Sequence, residues 1–243
     1  MRYVGGKSKI AKSLSEVILD RAQSRKFYLE PFVGGGSVFP QLAPHFEWSV
    51  AGDKHLDLVL MWNAVIQDGW VPPMQVSEDD YALLKTAEPS ALRGFVGMGG
   101  SFGGKWFGGY ARGGFNSDGS PRNHQAESAR AVLKIQETLT RVNVGQFRNW
   151  SYGQWNPVPG TVVYCDPPYA STQGYSTGGF PHEEFWETVR RWSRSGCEVF
   201  VSEYSAPADF ESIWSKGKRM TLTQPKQGRP VNTENLFIFK GDK

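Results

Sequence analysis

A carboxylate that follows an apolar run is the strongest chemical signal in the sequence. Asp166-Pro167-Pro168-Tyr169 comes directly after Thr161–Cys165, whose β-branched and apolar residues predict a buried strand. In open α/β sheets, ligands bind beyond the carboxyl ends of the strands. The two prolines fix φ and remove two backbone donors, so the turn is stiff and its carbonyl oxygens stay free to accept hydrogen bonds. Such a turn suits a planar group with an exocyclic amine, whereas the simpler alternative is a solvated Asp at a strand end.

A glycine-rich turn follows another short apolar run. Phe27–Glu30 predicts a strand that ends in an acid, and Pro31-Phe32-Val33-Gly34-Gly35-Gly36-Ser37 comes next. Glycines can adopt positive φ and let a ligand approach the backbone closely. The pattern is neither the dinucleotide G-x-G-x-x-G nor the phosphate-binding G-x-x-x-x-G-K-S/T. A third apolar run, residues 48–52, ends at Asp53, roughly 20 residues beyond the turn, where an acid suits a ribose hydroxyl pair.

These motifs occur in the order found in the Dam-type family of DNA adenine-N6 methyltransferases of bacteria and bacteriophages, which the chain resembles over most of its length. The resemblance rests on Tyr3-Val4-Gly5-Gly6-Lys7, Glu30-Pro31-Phe32-Val33-Gly34-Gly35-Gly36-Ser37-Val38-Phe39, Asp53 and Asp166-Pro167-Pro168-Tyr169. Two weaker similarities extend it. Phe115-Asn116-Ser117-Asp118-Gly119 is similar to the family's F-N-x-x-x-G shortened by one residue, and Asn232-Thr233-Glu234-Asn235-Leu236 contains its E-x-L.

The resemblance implies S-adenosylmethionine as the methyl donor and an adenine of double-stranded DNA as the acceptor. The Asp166 carboxylate and the Pro167 carbonyl would accept the two N–H groups of adenine N6, on a turn that Pro168 stiffens. Tyr169 would stack on the flipped base. The implied cofactor contacts are Tyr3, Lys7, Glu30, Phe32, Gly34, Gly36, Asp53, Trp150 and Asp166. For Trp150, packing in the protein core is the alternative to a cofactor contact.

A segment rich in glycine and aromatic residues is the candidate for DNA contact. Residues 94–119 hold eleven glycines, interleaved with cations that suit phosphates and rings that suit bases. A flexible linker of low complexity is the alternative. Residues 101–106 do not reproduce the Asn and Arg readers of G-A-T-C-specific relatives, so no target sequence is inferred. His55 and Glu203 stand where Asn is common in the family, but neither position touches the core chemistry. The expected DNA contacts are Lys105, Trp106, Tyr110, Arg112 and Asn116.

Composition describes an ordinary globular protein. Of 243 residues, 39% are hydrophobic and 21% charged. No apolar run approaches the ~20 residues of a membrane span. Cys165 and Cys197 are expected to be buried, reduced thiols, and two cysteines with four histidines offer no zinc-binding spacing. We therefore expect a cytoplasmic monomer with no bound metal and no membrane partner.

Charge is unevenly distributed along the chain. Residues 93–148 carry eight Lys or Arg against three Asp or Glu, and residues 214–243 carry seven against two. Residues 149–213, around the Asp166 turn, carry three against eight. Basic flanks around an acidic centre suit a polyanion held over a site that takes a cation, although solvation of the surface is the alternative.

The order of predicted elements indicates an α/β fold. Strands are predicted at 27–30, 48–52, 142–147, 162–165, 198–201 and 236–239, and helices at 7–22, 37–42, 55–67, 79–87, 90–96, 121–139, 183–194 and 208–215. We predict a Rossmann-like methyltransferase sheet with helices on both faces, formed by residues 1–70 and 125–243. A small helical and hairpin lobe at 71–124 would interrupt it and recognise DNA.

The predicted reaction is transfer of a methyl group to N6 of a flipped adenine in DNA, with definite or weak sequence preference. Methylation of cytosine N4 is the nearest alternative, because it uses the same kind of amine. Glutamine-directed and RNA-guanine methyltransferases use a similar turn that usually begins with Asn. A catalytically inactive DNA-binding protein on the same scaffold is the alternative from another class.

Overall fold

A six-stranded mixed sheet forms the centre of the protein. The computed structural model describes residues 1–115, 117–169, 179–217 and 233–241. The strands are β1 (Phe27–Glu30), β2 (Trp48–Ala51), β3 (Thr161–Cys165), β4 (Glu198–Glu203), β5 (Phe210–Gly217) and β6 (Thr233–Phe239). Their order in the sheet is β2-β1-β3-β4-β6-β5, with parallel pairing from β2 to β4 and antiparallel pairing of β6 with both β4 and β5.

Helices cover both faces of this sheet. Alternate residues of β3 enter two separate cores: Val162 and Tyr164 face one, and Val163 and Cys165 face the other. The first core packs against most of the helices and the second against α7, which confirms the predicted α/β class. In the described residues the helices are α1 (Ala11–Arg21), α2 (Phe39–Leu42), α3 (Leu56–Ile66), α4 (Glu78–Leu84), α5 (Ala91–Gly99), α6 (His124–Leu139) and α7 (His182–Arg194).

The segment predicted as a recognition lobe, residues 71–124, packs directly onto this helical layer. Tyr81 and Phe95 belong to the first of the two cores, together with Val162 and Tyr164 of β3. Helix α5 lies so close to α3 that a Cβ on Gly94 would overlap the backbone of Asp57. The Asp57 carboxylate also accepts hydrogen bonds from Ser90 N at 2.9 Å and Arg93 Nη1 at 2.7 Å. The boundaries of the lobe remain a prediction.

Two predicted elements are wrong. The helix predicted at 208–215 is the edge strand β5, which pairs with β6. Phe210, Ile213 and Trp214 are spaced as on a helix because a bulge between Ser212 and Trp214 interrupts the alternation of the strand. The strand predicted at 142–147 forms only isolated bridges beside β2, with Gly145 facing Trp48 in the middle.

Within the described ranges, no helix combines the length and apolar character that a membrane crossing requires. The same residues contain no group of three His, Cys, Asp or Glu that could hold a metal ion. Cys165 and Cys197 are buried, free thiols, as predicted. Burial raises the pKa of both thiols, which keeps them protonated and unreactive.

Candidate active site

Asp166 lies at the carboxyl edge of the sheet, directly after β3, and meets a lysine from the N-terminal segment. Lys7 Nζ donates to Asp166 Oδ1 at 2.6 Å and also to the hydroxyl oxygen of Tyr169. Glu234, at the start of β6, completes the group. Its Oε1 lies 3.6 Å from Lys7 Nζ and accepts a hydrogen bond from the Tyr169 hydroxyl at 2.6 Å. Two carboxylates, one ammonium and one phenol thus form a single cluster.

The members of this cluster differ in their access to solvent. The side chains of Lys7 and Glu234 are 4% and 2% exposed, whereas that of Asp166 is 22% exposed. Burial raises the pKa of Tyr169, and the nearby Asp166 and Glu234 carboxylates raise it further, so the phenol stays protonated. An incoming molecule can therefore reach Asp166 more easily than the two groups behind it.

The other residues of the Asp166 turn are at least half-buried, and the Tyr169 ring packs within the protein. Pro167 is buried and Pro168 half-buried. The ring of Tyr169 is buried, lies 4.4 Å from the ring of Tyr204, and has Lys7 Nζ 4.5 Å from its centroid. Lys7, expected from the sequence to contact the cofactor, contacts Asp166 and Tyr169 of this turn.

Two further acids lie at the neighbouring strand ends. Glu30 ends β1 and accepts a hydrogen bond from the Tyr28 hydroxyl at 2.6 Å. Burial raises the pKa of Glu30, the Tyr28 hydrogen bond opposes that rise, and the charges of Asp166 and Asp53 add to it. Burial also raises the pKa of Asp53. The Asp166 and Asp53 carboxylates therefore destabilise negative charge on Glu30, and a cation bound beside Glu30 would relieve this repulsion.

Asp53 also fixes the glycine turn. Its Oδ2 accepts from Gly34 N and its Oδ1 from His55 N, both at 2.9 Å. Gly34 and Gly36 have φ of +44° and +66°, which favours glycine at both positions. A Cβ on Gly34 would lie 2.8 Å from the ring of Tyr3, and one on Gly36 would lie 2.7 Å from Trp62. The glycines are thus needed for the packing of these two rings, whether or not a ligand approaches.

Two of the predicted aromatic cofactor contacts lie near these acids. Phe32 packs among aromatic rings, 5.8 Å from that of Tyr152. Trp150 is 38% exposed and packs at 4.9 Å against Trp155, so core packing accounts for only part of its surface. Asn149 Nδ2 donates to the backbone oxygen of Asp53 at 3.1 Å, which fixes the start of the Trp150 segment beside the predicted ribose-binding acid.

The predicted DNA contacts fall into two groups. Lys105 and Arg112 are exposed, and Arg112 forms an ion pair with Glu78. Trp106 and Tyr110 instead pack within the protein: the Trp106 ring lies 4.1 Å from that of His55, and the Tyr110 hydroxyl donates to the Val76 carbonyl oxygen at 2.7 Å. Asn116 lies outside the described residues.

Sequence reasoning left three notable residues without a role. Phe102 and Phe115 are 74% and 78% exposed, on the same glycine-rich segment as Lys105. Glu234 was recognised only as part of an E-x-L similarity, yet it contacts both Lys7 and Tyr169. The available signal was a charged residue in an otherwise strand-like run, because such a residue at a buried position requires a partner.

Comparison with known families matches the N-terminal part of this arrangement. Residues 3–91 match the family described as D12 class N6 adenine-specific DNA methyltransferases. That segment contains the Tyr3-to-Lys7 motif, the glycine turn and Asp53, and the match confirms the predicted resemblance there. The Asp166 turn lies beyond it. The match covers 89 of the 243 residues, less than half of the chain.

Solved structures that this chain resembles include two that are described as methyltransferases. A putative methyltransferase, yhhF, from Escherichia coli is 12% identical, with 96% of this chain and 86% of that chain covered and a TM-score of 0.40. Magnesium protoporphyrin IX methyltransferase (ChlM) from Synechocystis PCC 6803, solved with bound SAM, is 11% identical, with 96% and 78% covered and a TM-score of 0.40. A comparison with curated proteins gives no significant match.

Proposed function

We propose that the protein transfers a methyl group from S-adenosylmethionine to N6 of an adenine that is flipped out of double-stranded DNA. The observation that carries the proposal is the Asp166 carboxylate, which is partly exposed at the carboxyl edge of the sheet while its partners Lys7 and Glu234 are buried. The family match over residues 3–91 supports the adenine-specific reaction.

The acids at the strand ends fit the proposed cofactor. S-adenosylmethionine carries a sulfonium and an ammonium, and when bound it supplies an electrophilic methyl group. Burial raises the pKa of Glu30 and the charges of Asp166 and Asp53 raise it further, so a cation beside Glu30 is favoured. The residues that would hold it are Tyr3, Glu30, Phe32, Gly34, Gly36, Asp53, Trp150 and Asp166.

Asp166 and Pro167 would act on the acceptor amine. The lone pair of an exocyclic amine is delocalised into the ring, so the nitrogen is flat and weakly nucleophilic. Hydrogen bonds from its two N–H groups to the Asp166 carboxylate and the Pro167 carbonyl favour the tetrahedral nitrogen of the transition state. The neutral amine is far too weak an acid to lose a proton to Asp166 first, so proton loss follows methyl transfer.

The base must leave the duplex to reach this turn. Tyr169 is the proposed stacking surface for it, a contact worth roughly 1–3 kcal/mol per base. The proposed DNA contacts are the exposed Lys105 and Arg112, with Trp106, Tyr110 and Asn116 in the same segment. Residues 71–124 would then be the recognition lobe, and residues 1–70 and 125–243 the catalytic domain.

A methyl-transfer assay tests the proposal. The protein is incubated with unmethylated DNA and radiolabelled S-adenosylmethionine, and the DNA is digested to nucleosides for analysis. Label in N6-methyladenine supports the proposal, whereas label in N4-methylcytosine would identify cytosine N4 as the acceptor. Asp166→Ala serves as the control for contaminating activity. If the wild-type protein transfers no methyl to DNA, the proposed function is wrong.

Replacing Asp53 with Ala is expected to weaken cofactor binding by roughly 1–3 kcal/mol, the cost of leaving buried polar groups without their partner. The carboxylate accepts hydrogen bonds from Gly34 N and His55 N. Its loss therefore removes the bond that fixes the glycine turn, as well as any contact with a ribose. Titration calorimetry with S-adenosylhomocysteine measures the effect. Asp68→Ala, an exposed acid after α3, is the control. Unchanged affinity in Asp53→Ala would show that the acid is not part of the cofactor site.

Replacing Lys105 and Arg112 with Ala is expected to reduce the salt dependence of DNA binding. Removing one phosphate-binding cation should reduce the magnitude of the negative slope of log affinity against log salt by about 0.9. The loss of affinity should be almost equal for all DNA sequences. Arg112 already pairs with Glu78, so Lys105 should account for more of the change. Lys240→Ala removes one positive charge beyond the far end of β6 and is the control for each of the two single replacements. An unchanged slope in the double variant would show that residues other than Lys105 and Arg112 contact the DNA.

A further inference from the structure

We propose that Glu234 is a positioning residue for methyl transfer, which holds the Lys7 ammonium so that Asp166 can turn from the lysine to the acceptor amine. This inference rests on the proposed function and deepens it. Glu234 lies at the start of β6, and its Oε1 is 3.6 Å from Lys7 Nζ, on a carboxylate that is almost completely buried.

The need for such a residue follows from the charges in the cluster. Lys7 Nζ is buried, and among the described side chains it contacts the carboxylates of Asp166 and Glu234 and the hydroxyl of Tyr169. In the absence of substrate, the shortest ion pair is with Asp166, at 2.6 Å. If Asp166 were the sole carboxylate beside Lys7, its engagement by another group would leave the buried ammonium with neutral groups such as the Tyr169 hydroxyl and the Gly5 carbonyl, which is strongly unfavourable.

Glu234 supplies the counter-charge for Lys7 at the step in which Asp166 is protonated. After methyl transfer, an N–H bond of the methylated amine breaks, its electron pair stays on nitrogen, and an O–H bond forms on Asp166. Asp166 then carries no charge. Lys7 remains paired because Glu234 keeps its negative charge, and a short movement of the ammonium from Asp166 Oδ1 towards Glu234 Oε1 suffices.

Glu234 also orients the ring of the catalytic turn. The Tyr169 hydroxyl donates to Glu234 Oε1 at 2.6 Å, closer than the 3.2 Å to Asp166 Oδ1. The Tyr169 hydroxyl thus donates to Glu234 and accepts from Lys7. One carboxylate from β6 therefore sets the positions of both groups that contact Asp166.

Glu234→Gln tests the inference, because glutamine keeps the shape and an acceptor for Tyr169 but removes the charge. We expect kcat for methyl transfer to DNA to fall by about 10- to 100-fold, the scale of a positioned electrostatic contact, with KM for DNA little changed. Glu234→Asp restores the charge and should recover part of the wild-type kcat. Glu211→Gln, an exposed acid on β5, is the matched control and should leave kcat unchanged.

A double variant separates positioning through Lys7 from a purely structural role. If Glu234 acts through the ammonium, Glu234→Gln should no longer lower kcat when Lys7 is already Met. S-adenosylhomocysteine affinity and thermal unfolding of each variant exclude loss of fold. The inference is overturned if Glu234→Gln keeps wild-type kcat, or if it lowers kcat equally with and without Lys7. A wild-type protein that methylates no DNA would instead overturn the proposed function on which the inference rests.

Discussion

Asp166→Ala is expected to lower the turnover number by at least ~100-fold, the scale of losing one preorganised polar contact to a transition state. Cofactor and DNA affinity should change far less, because the carboxylate makes its decisive contact with the acceptor amine as that nitrogen becomes tetrahedral. The structure gives a reason for the fold to survive: Lys7 keeps an ion-pair partner in Glu234 when Asp166 is removed.

Single-turnover kinetics with saturating cofactor and DNA measure this effect without interference from product release. Asp79→Ala, an exposed acid in the first turn of α4, is the matched control and should have wild-type kinetics. Asp166→Asn refines the test, since an amide keeps one acceptor oxygen but cannot take the proton released after transfer. Near-normal turnover in Asp166→Ala would contradict the assigned role, and a combined loss of fold and binding would make the residue structural.

The positions of the strand-end acids were predictable from local sequence. Glu30, Asp53 and Asp166 each follow a short apolar run, and the carboxyl ends of parallel strands meet at one edge of a sheet. Period and composition therefore place these three acids at one edge of the sheet. The strand order β2-β1-β3, which the sequence does not give, makes them neighbours.

The contribution of Glu234 could not be predicted in the same way. Strand β6 lies between β4 and β5 and runs antiparallel to both, so its first residues lie at the edge where β4 ends. Asn235 pairs with Glu203, the last residue of β4, which places Glu234 at the carboxyl edge. Sequence alone does not specify this insertion, and so it does not show that Glu234 reaches Lys7.

The glycine-rich segment illustrates a second limit. Its aromatic residues were interpreted as DNA contacts because rings among glycines would otherwise be exposed. The structure provides distant partners for two of them, His55 for Trp106 and Val76 for Tyr110. It leaves Phe102 and Phe115 exposed instead. Composition identifies such a segment, but only the tertiary contacts separate its buried rings from its exposed ones.

Asp57→Ala is expected to lower the free energy of unfolding of the whole chain by about 3 kcal/mol, the lower end of what breaking a buried ion pair costs. Asp57 is buried in the first turn of α3 and accepts from Arg93 Nη1 at 2.7 Å and from Ser90 N at 2.9 Å. Its removal leaves the Arg93 guanidinium without its carboxylate, between α3 and the segment predicted to recognise DNA.

Urea unfolding followed by tryptophan fluorescence and circular dichroism measures this loss. Glu78→Ala is the control: it breaks an ion pair with Arg112 in the same segment, but both side chains are largely exposed, so less than ~1 kcal/mol is expected. Coincident transitions in Asp57→Ala would show that residues 71–124 unfold with the sheet. A separate early transition would instead show an independent lobe, and a loss below ~1 kcal/mol would contradict the role of Asp57. If the transitions coincide, the proposed DNA contacts are fixed to the same core as Asp166, and DNA bound there would be held in a defined orientation to the Asp166 turn.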